Sequence, residues 1–203
     1  MINAQQLEEL ISFGREQLGV EFKGPGSRND KPFFAVIAKA MIGMANRRDG
    51  GKLIIGVSED KNKNLIRDGL SKEQLTTWIY DDVANSIDEY ADPSLAFELS
   101  QVILDGRDFI AIEIHEFEDI PILCKKTYGD TLRKGACYTR PRRKPETTEI
   151  PSQVDMRDIL DLAIEKGLRK FLAQASKSGL SYSQTTLPGD TDEFNKQVQG
   201  FLH

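Results

Sequence analysis

The sequence predicts an α+β fold: a mostly antiparallel sheet with helices packed against it. Three observations carry that expectation. Leu53-Ile54-Ile55-Gly56-Val57 is a continuous apolar run, as in a strand covered on both faces. Asp105-Gly106 stands between alternating segments at 95–104 and 109–114, the pattern of a β-hairpin. Helical periodicity occupies other stretches near the start, in the middle and toward the end of the chain.

Taken in order, Asn3 can cap a first helix whose apolar stripe is Leu7, Leu10, Ile11 and Leu18, with Gly19 ending it. Val20-Glu21-Phe22-Lys23 then alternates as a short strand, with Val20 and Phe22 on one face and Glu21 and Lys23 on the other. Gly24-Pro25-Gly26 breaks it. The stretch 32–45 is apolar on most sides, which predicts a central buried helix. After the strand at 53–57 comes a polar turn and a short return strand at Leu65-Ile66. Ser71 and Gln74 form a capping box ahead of a helix bearing Leu75, Ile79, Val83, Ile87 and Tyr90, with Trp78 in the core and Asp92-Pro93 as a stop. Segments 121–126 and 136–140 read as two further strands, and 154–172 as a last amphipathic helix. The domain is expected over 1–172, with a polar tail over 173–203.

The composition limits function. The chain has 203 residues, 39% hydrophobic and 29% charged, which supports one packed domain. A net charge of -5 excludes a globally basic nucleic-acid binder but not a local basic patch. Two cysteines, Cys124 and Cys137, and two histidines, His115 and His203, with no C-x-x-C spacing, argue against zinc and against a disulfide scaffold. No apolar run reaches membrane-spanning length, and the N-terminus lacks a signal-peptide pattern, so no membrane association and a cytoplasmic location are expected. There is no G-x-x-x-x-G-K-[ST] sequence, so no ATP site is expected.

Two features carry chemistry. Glu16 and Glu21 flank a helix-to-strand junction, and Glu59 and Asp60 follow the apolar strand. If the two strands pair, three carboxylates can converge, and such a cluster can hold Mg²⁺ or Mn²⁺ against a phosphodiester, with Lys23 beside the phosphate. On spacing alone, ordinary solvated carboxylates with a surface Glu–Lys pair are the better fit. The second feature is a basic segment. Residues 120–144 hold Lys125, Lys126, Arg133, Lys134, Arg140, Arg142, Arg143 and Lys144 against Asp130 alone, a balance of +7. Tyr128 and Tyr138 interleave with these cations as candidate base-stacking rings.

Glu21-Phe22-Lys23, Met44-Ala45-Asn46, Gly50-Gly51, the strand at 53–57, Asp68-Gly69-Leu70, Asp92-Pro93 and Tyr138-x-Arg140 occur in this order. The ordered set resembles the Schlafen-type AlbA-like domain over about residues 8–165. The resemblance implies an AlbA-like core. It also implies the acidic set of the Schlafen ribonucleases, which cut tRNA or rRNA with Mg²⁺ or Mn²⁺. Glu16 and Glu21 match the family's two glutamates, and Glu59 or Asp60 takes the third position. Vertebrate relatives join two such lobes around a groove, and a single lobe here implies a homodimer. Three functions follow as expectations: a metal-dependent endoribonuclease, a non-catalytic nucleic-acid-binding module of a transcriptional regulator, and a protein-interaction domain.

Overall fold

The computed structural model describes residues 1–13, 18–141 and 146–178. Elements run in the order α1 (Ala4–Ser12), β1 (Val20–Lys23), α2 (Lys31–Ala45), β2 (Gly51–Ile55), β3 (Val57–Glu59), β4 (Leu65–Arg67), α3 (Lys72–Leu75), α4 (Tyr80–Asp88), β5 (Ala91–Asp92), β6 (Phe97–Leu104), β7 (Arg107–Ile114), β8 (Leu123–Cys124), β9 (Tyr138–Thr139), β10 (Thr148–Glu149) and α5 (Gln153–Lys177). The chain divides into two compact units, Met1–Lys166 and Gly167–His203. The described part of the second is the end of α5 and Ser178.

The central sheet of the first unit has the order β1-β2-β7-β6. β1 runs parallel to β2, and the β2–β7 and β7–β6 pairs are antiparallel. The expected pairing of the Glu21 strand with the apolar strand is therefore present, with Glu21 opposite Leu53. Alternation along each strand sorts side chains to two faces. Val20, Phe22, Ile54, Phe109 and Ala111 pack with Leu7 and Ile11 of α1. Leu53, Ile55, Ile110, Ile112 and Ile114 pack with Ile37, Met41 and Met44 of α2. β2 is thus covered on both sides, as its unbroken apolar run demands.

Two turns fix this arrangement. Gly50 adopts φ +60, and a Cβ there would collide with the Ile114 carbonyl oxygen, so the α2–β2 turn requires glycine. Asp105 and Gly106 both have positive φ, 52 and 72, the geometry of a two-residue hairpin turn that follows strand twist.

Several elements differ from expectation. The first helix ends at Ser12, and Leu18 lies in a turn outside it. The apolar strand at 53–57 splits at Gly56, whose φ of 107 turns β3 away to pair with β4. The helix expected from Ser71 to Tyr90 is two helices, because Trp78 turns into the core and donates its Nε1–H to the Gly26 carbonyl at 3.0 Å. The strands expected at 121–126 and 136–140 shrink to two residues each. α5 continues to Lys177, so the first residues of the expected tail are helical, and from residue 179 onward the tail lies outside the described residues.

Candidate carboxylate site and nucleic-acid interface

β1 is an edge strand, and its alternation places Glu21 and Lys23 on the α2 face. Glu21 is buried at 6% exposure. One carboxylate oxygen, Oε1, sits 2.6 Å from Lys23 Nζ. The other, Oε2, accepts from Arg140 Nη1. Arg140 Nη2 also approaches the Val20 carbonyl at 3.4 Å. A buried carboxylate is tolerated only when paired. Here two cations compensate it, and the local balance is positive. Arg140, expected to face nucleic acid, has a side chain with no exposed surface and directs its guanidinium to Glu21.

The other candidate carboxylates are placed differently. Glu59 is exposed at the end of β3, across from Leu65. Asp60 is spent on its own loop. Its Oδ1 accepts from the backbone N–H of Asn62 at 2.7 Å and of Asn64 at 2.8 Å, and its Oδ2 accepts from the Asn64 amide at 3.0 Å. Hydrogen bonds from the Asn64 side chain, then from its backbone, hold the Asp60 carboxyl below its ordinary range. Glu16 lies outside the described residues. Among the described residues no three His, Cys, Asp or Glu side chains converge on a metal-sized space. A cation at Glu21 would have to compete with Lys23 and Arg140 for its oxygens.

Beside Arg140 lies an open cleft of about 510 Å³, lined by Leu18, the turn after α2, Thr139 and the first turns of α5. Arg47, Arg48 and Arg140 contribute one wall, and Asp155, Asp158 and Asp161 the other. Arg47 donates from Nη1 to the Gly50 carbonyl at 2.7 Å. Burial, and then the neighbouring Arg140, lower its pKa. Arg48 pairs with Glu165 at 2.7 Å. Sequence reasoning missed these walls. The signal was present, since aspartates three apart share a helix face. In the chain, Glu16 precedes Leu18 by two residues and Arg142 follows Arg140 by two.

The basic segment is partly neutralised in place. Lys125 and Lys134 are exposed. Lys126 pairs with Glu89 at 2.6 Å and lies 5.4 Å from the Tyr90 ring centroid. Arg133 grips Glu149 with two bonds, Nε at 2.8 Å and Nη2 at 2.6 Å. Such exposed pairs contribute little stability, and an incoming phosphate can replace the carboxylate. Tyr138 is buried at 2%, its hydroxyl accepting from the Arg133 N–H at 2.8 Å, with Lys39 Nζ 5.3 Å from its ring centroid. The expected stacking role for Tyr138 has no exposed ring face to use in this conformation. Arg142, Arg143 and Lys144 lie outside the described residues.

None of the curated proteins matches this sequence. Among solved structures, the crystal structure of the DIP2311 protein from Corynebacterium diphtheriae is similar at 21% identity and a TM-score of 0.46. The match covers 72% of this chain and 26% of that one, so this chain spans about a quarter of that protein. The solution structure of the N-terminal domain of a RecG-related protein from Nitrosomonas europaea is similar at 22% identity and a TM-score of 0.48, over 66% of this chain and 89% of that one. The family model described as Schlafen, AlbA_2 matches residues 16–149. That span takes in the Glu21 strand, both sheet faces and the basic segment, and the chain belongs to the Schlafen AlbA_2 family.

Proposed function

We propose that this protein is a divalent-metal-dependent endoribonuclease acting on structured RNA such as tRNA. Family membership associates the chain with nucleic acid. The observation that carries the reading is the cleft beside Arg140, walled by arginines on one side and aspartates on the other, with the buried Glu21 against Arg140. In this reading Glu16, Glu21 and Glu59 or Asp60 hold Mg²⁺ or Mn²⁺, and Lys23 stands near the phosphate. The ion's contribution when bound is to acidify water and offset charge on phosphate oxygens. Lys125, Lys126, Arg133, Lys134, Arg142, Arg143 and Lys144 hold the RNA backbone without sequence preference. Zinc and ATP have no part in it.

The test is labelled tRNA incubated with the protein, with and without Mn²⁺. Cleavage only in the presence of the ion supports the reading. A mobility shift without cleavage supports a non-catalytic nucleic-acid-binding module of a transcriptional regulator. That second reading is favoured by the occupation of both Glu21 oxygens by cations. Binding of neither RNA nor DNA would point to a protein-interaction domain.

The working unit in this proposal is a cytoplasmic homodimer, which doubles the basic wall around one RNA. α5 leaves Met156, Leu160 and Ile164 exposed, four residues apart along the helix. Among the described residues no helix is long and apolar enough to cross a membrane. Light scattering coupled to size exclusion is expected to give twice the monomer mass, and a monomer mass with RNA bound would rule the dimer out.

A further inference from the structure

We infer that a second cleft, at the N-terminal end of α2, is a phosphate-binding subsite for a single strand of nucleic acid. The inference rests on the nucleic-acid reading above and extends it to residues outside the carboxylate site. The cleft has a volume of about 390 Å³, and its lining includes Arg28, Lys31, Glu89, Tyr90, Lys126 and Tyr128. The first cleft lies at the other end of this helix of 15 residues, which at 1.5 Å per residue is about 22 Å long. A strand touching both ends would therefore cross the face of the protein.

Three cations meet two carboxylates here: Glu89 lines the cleft, and Asp82 pairs with Arg28. Arg28 is preset. Its Nε donates to the Thr77 carbonyl at 3.1 Å, Nη1 to Ser86 Oγ at 2.9 Å and Nη2 to Asn29 Oδ1 at 2.7 Å. Asp82 lies 3.6 Å from Nη2. The loop carrying Arg28 is pinned by the Trp78 bond to Gly26 and by its own N–H on Thr77 Oγ1 at 3.0 Å. Little ordering cost is left for binding. Lys31 is exposed, and its charge is among those that act on Glu89. Lys126 is shared between Glu89 and the face of Tyr90, and a phosphate can displace the exposed Glu89.

Tyr128 decides the ligand class. Its ring is half-buried at the cleft, whereas Tyr90 is buried at 6% beneath Lys126 and positions that lysine. Aromatic surface beside a row of cations matches a phosphodiester strand with its bases, since stacking needs only a π-face and tolerates any sequence. An isolated inorganic phosphate would leave the Tyr128 ring unused.

The experiment is fluorescence anisotropy of a labelled short single-stranded RNA with the full chain, its Lys31→Glu and Tyr128→Ala variants, and an Arg142→Ala/Arg143→Ala/Lys144→Ala variant. Urea midpoints establish that each is folded. Lys31→Glu is expected to weaken binding by about tenfold and to reduce the slope of log affinity against log salt by about one. Tyr128→Ala should weaken binding with the slope unchanged. Wild-type affinity for Lys31→Glu, with binding lost only in the triple variant, overturns the subsite and leaves the nucleic-acid reading intact. No binding by the wild type overturns both. A mononucleotide bound as tightly as the RNA, with the same dependence on Lys31, also overturns the strand subsite, because the ligand would then be a free phosphate compound.

Discussion

Glu21 and Arg140 are 119 residues apart in the chain, and each makes the burial of the other tolerable. Alternation in β1 made Glu21 and Lys23 legible as neighbours on one strand face, and the structure joins them at 2.6 Å. Arg140 was legible only as a charge. Its partner lies across the fold, and a local reading of the segment grouped it with exposed cations. Tyr138 shows the same limit, because nothing in its neighbourhood signals burial. Cys124 is buried and Cys137 partly so. Burial pushes the Cys137 thiol up to about 11, and burial is also the main cause raising Cys124. The thiolate is the reactive form, so the native protein at about pH 8 should react slowly with a disulfide reagent and release both thiols only on unfolding. Rapid native reaction of either would contradict the placement.

Elements were legible where local signals and burial agree. The capping boxes at Asn3 with Gln6 and at Ser71 with Gln74 form as such pairs should. The break between α3 and α4 was hidden because Leu75, Ile79, Val83 and Ile87 fit one helical period. Burial of Trp78 overrides that period and leaves Ile79 exposed at 55%. The short β8 and β9 pair with β5 and β10, and the segments carrying them are also tied to the end of α2. Asn46, fully buried, donates from Nδ2 to the carbonyls of Ile122 at 2.7 Å and Tyr138 at 2.9 Å, and accepts from the Ile122 N–H at 2.7 Å. Asn46→Ala leaves those backbone groups unpaired in the core and should cost about 3 kcal/mol in urea unfolding. A loss under about 1 kcal/mol would mean that α2 does not anchor this region.

Across the whole molecule, a net charge of -5 is distributed through many cross-chain pairs. Glu8 is held below its usual pKa chiefly by Arg67, Glu89 by Lys126, Glu98 by the N-terminal amine and Glu149 by Arg133. Their unfolded values lie near 4.5, so below that pH the unfolded chain binds more protons than the folded one. The contribution is complete above about pH 4.5 and is lost as pH falls through the lower folded values. The urea midpoint should therefore drop between about pH 6 and pH 3, and less steeply in high salt because the pairs are exposed. A flat or rising midpoint over that range would contradict these assignments. At this scale the fold class and the pairing of β1 with β2 were readable from pattern. The opposed walls of the first cleft were not, because α2, β9 and α5 meet only in three dimensions.

Glu21 both neutralises Arg140 and supplies the central carboxylate of the proposed site, so one substitution affects both roles, and stability and cleavage are read separately. Glu21→Gln should lower stability by about 3 kcal/mol, because Arg140 loses its buried counter-charge. The decisive measurement is cleavage of labelled tRNA with Mn²⁺ by wild type and Glu21→Gln, at a temperature where circular dichroism shows both folded. Affinity of Glu21→Gln for tRNA is expected within about threefold of wild type, and its cleavage slower by at least about 100-fold. Cleavage by folded Glu21→Gln at the wild-type rate would contradict it and leave Glu21 a structural ion-pair partner.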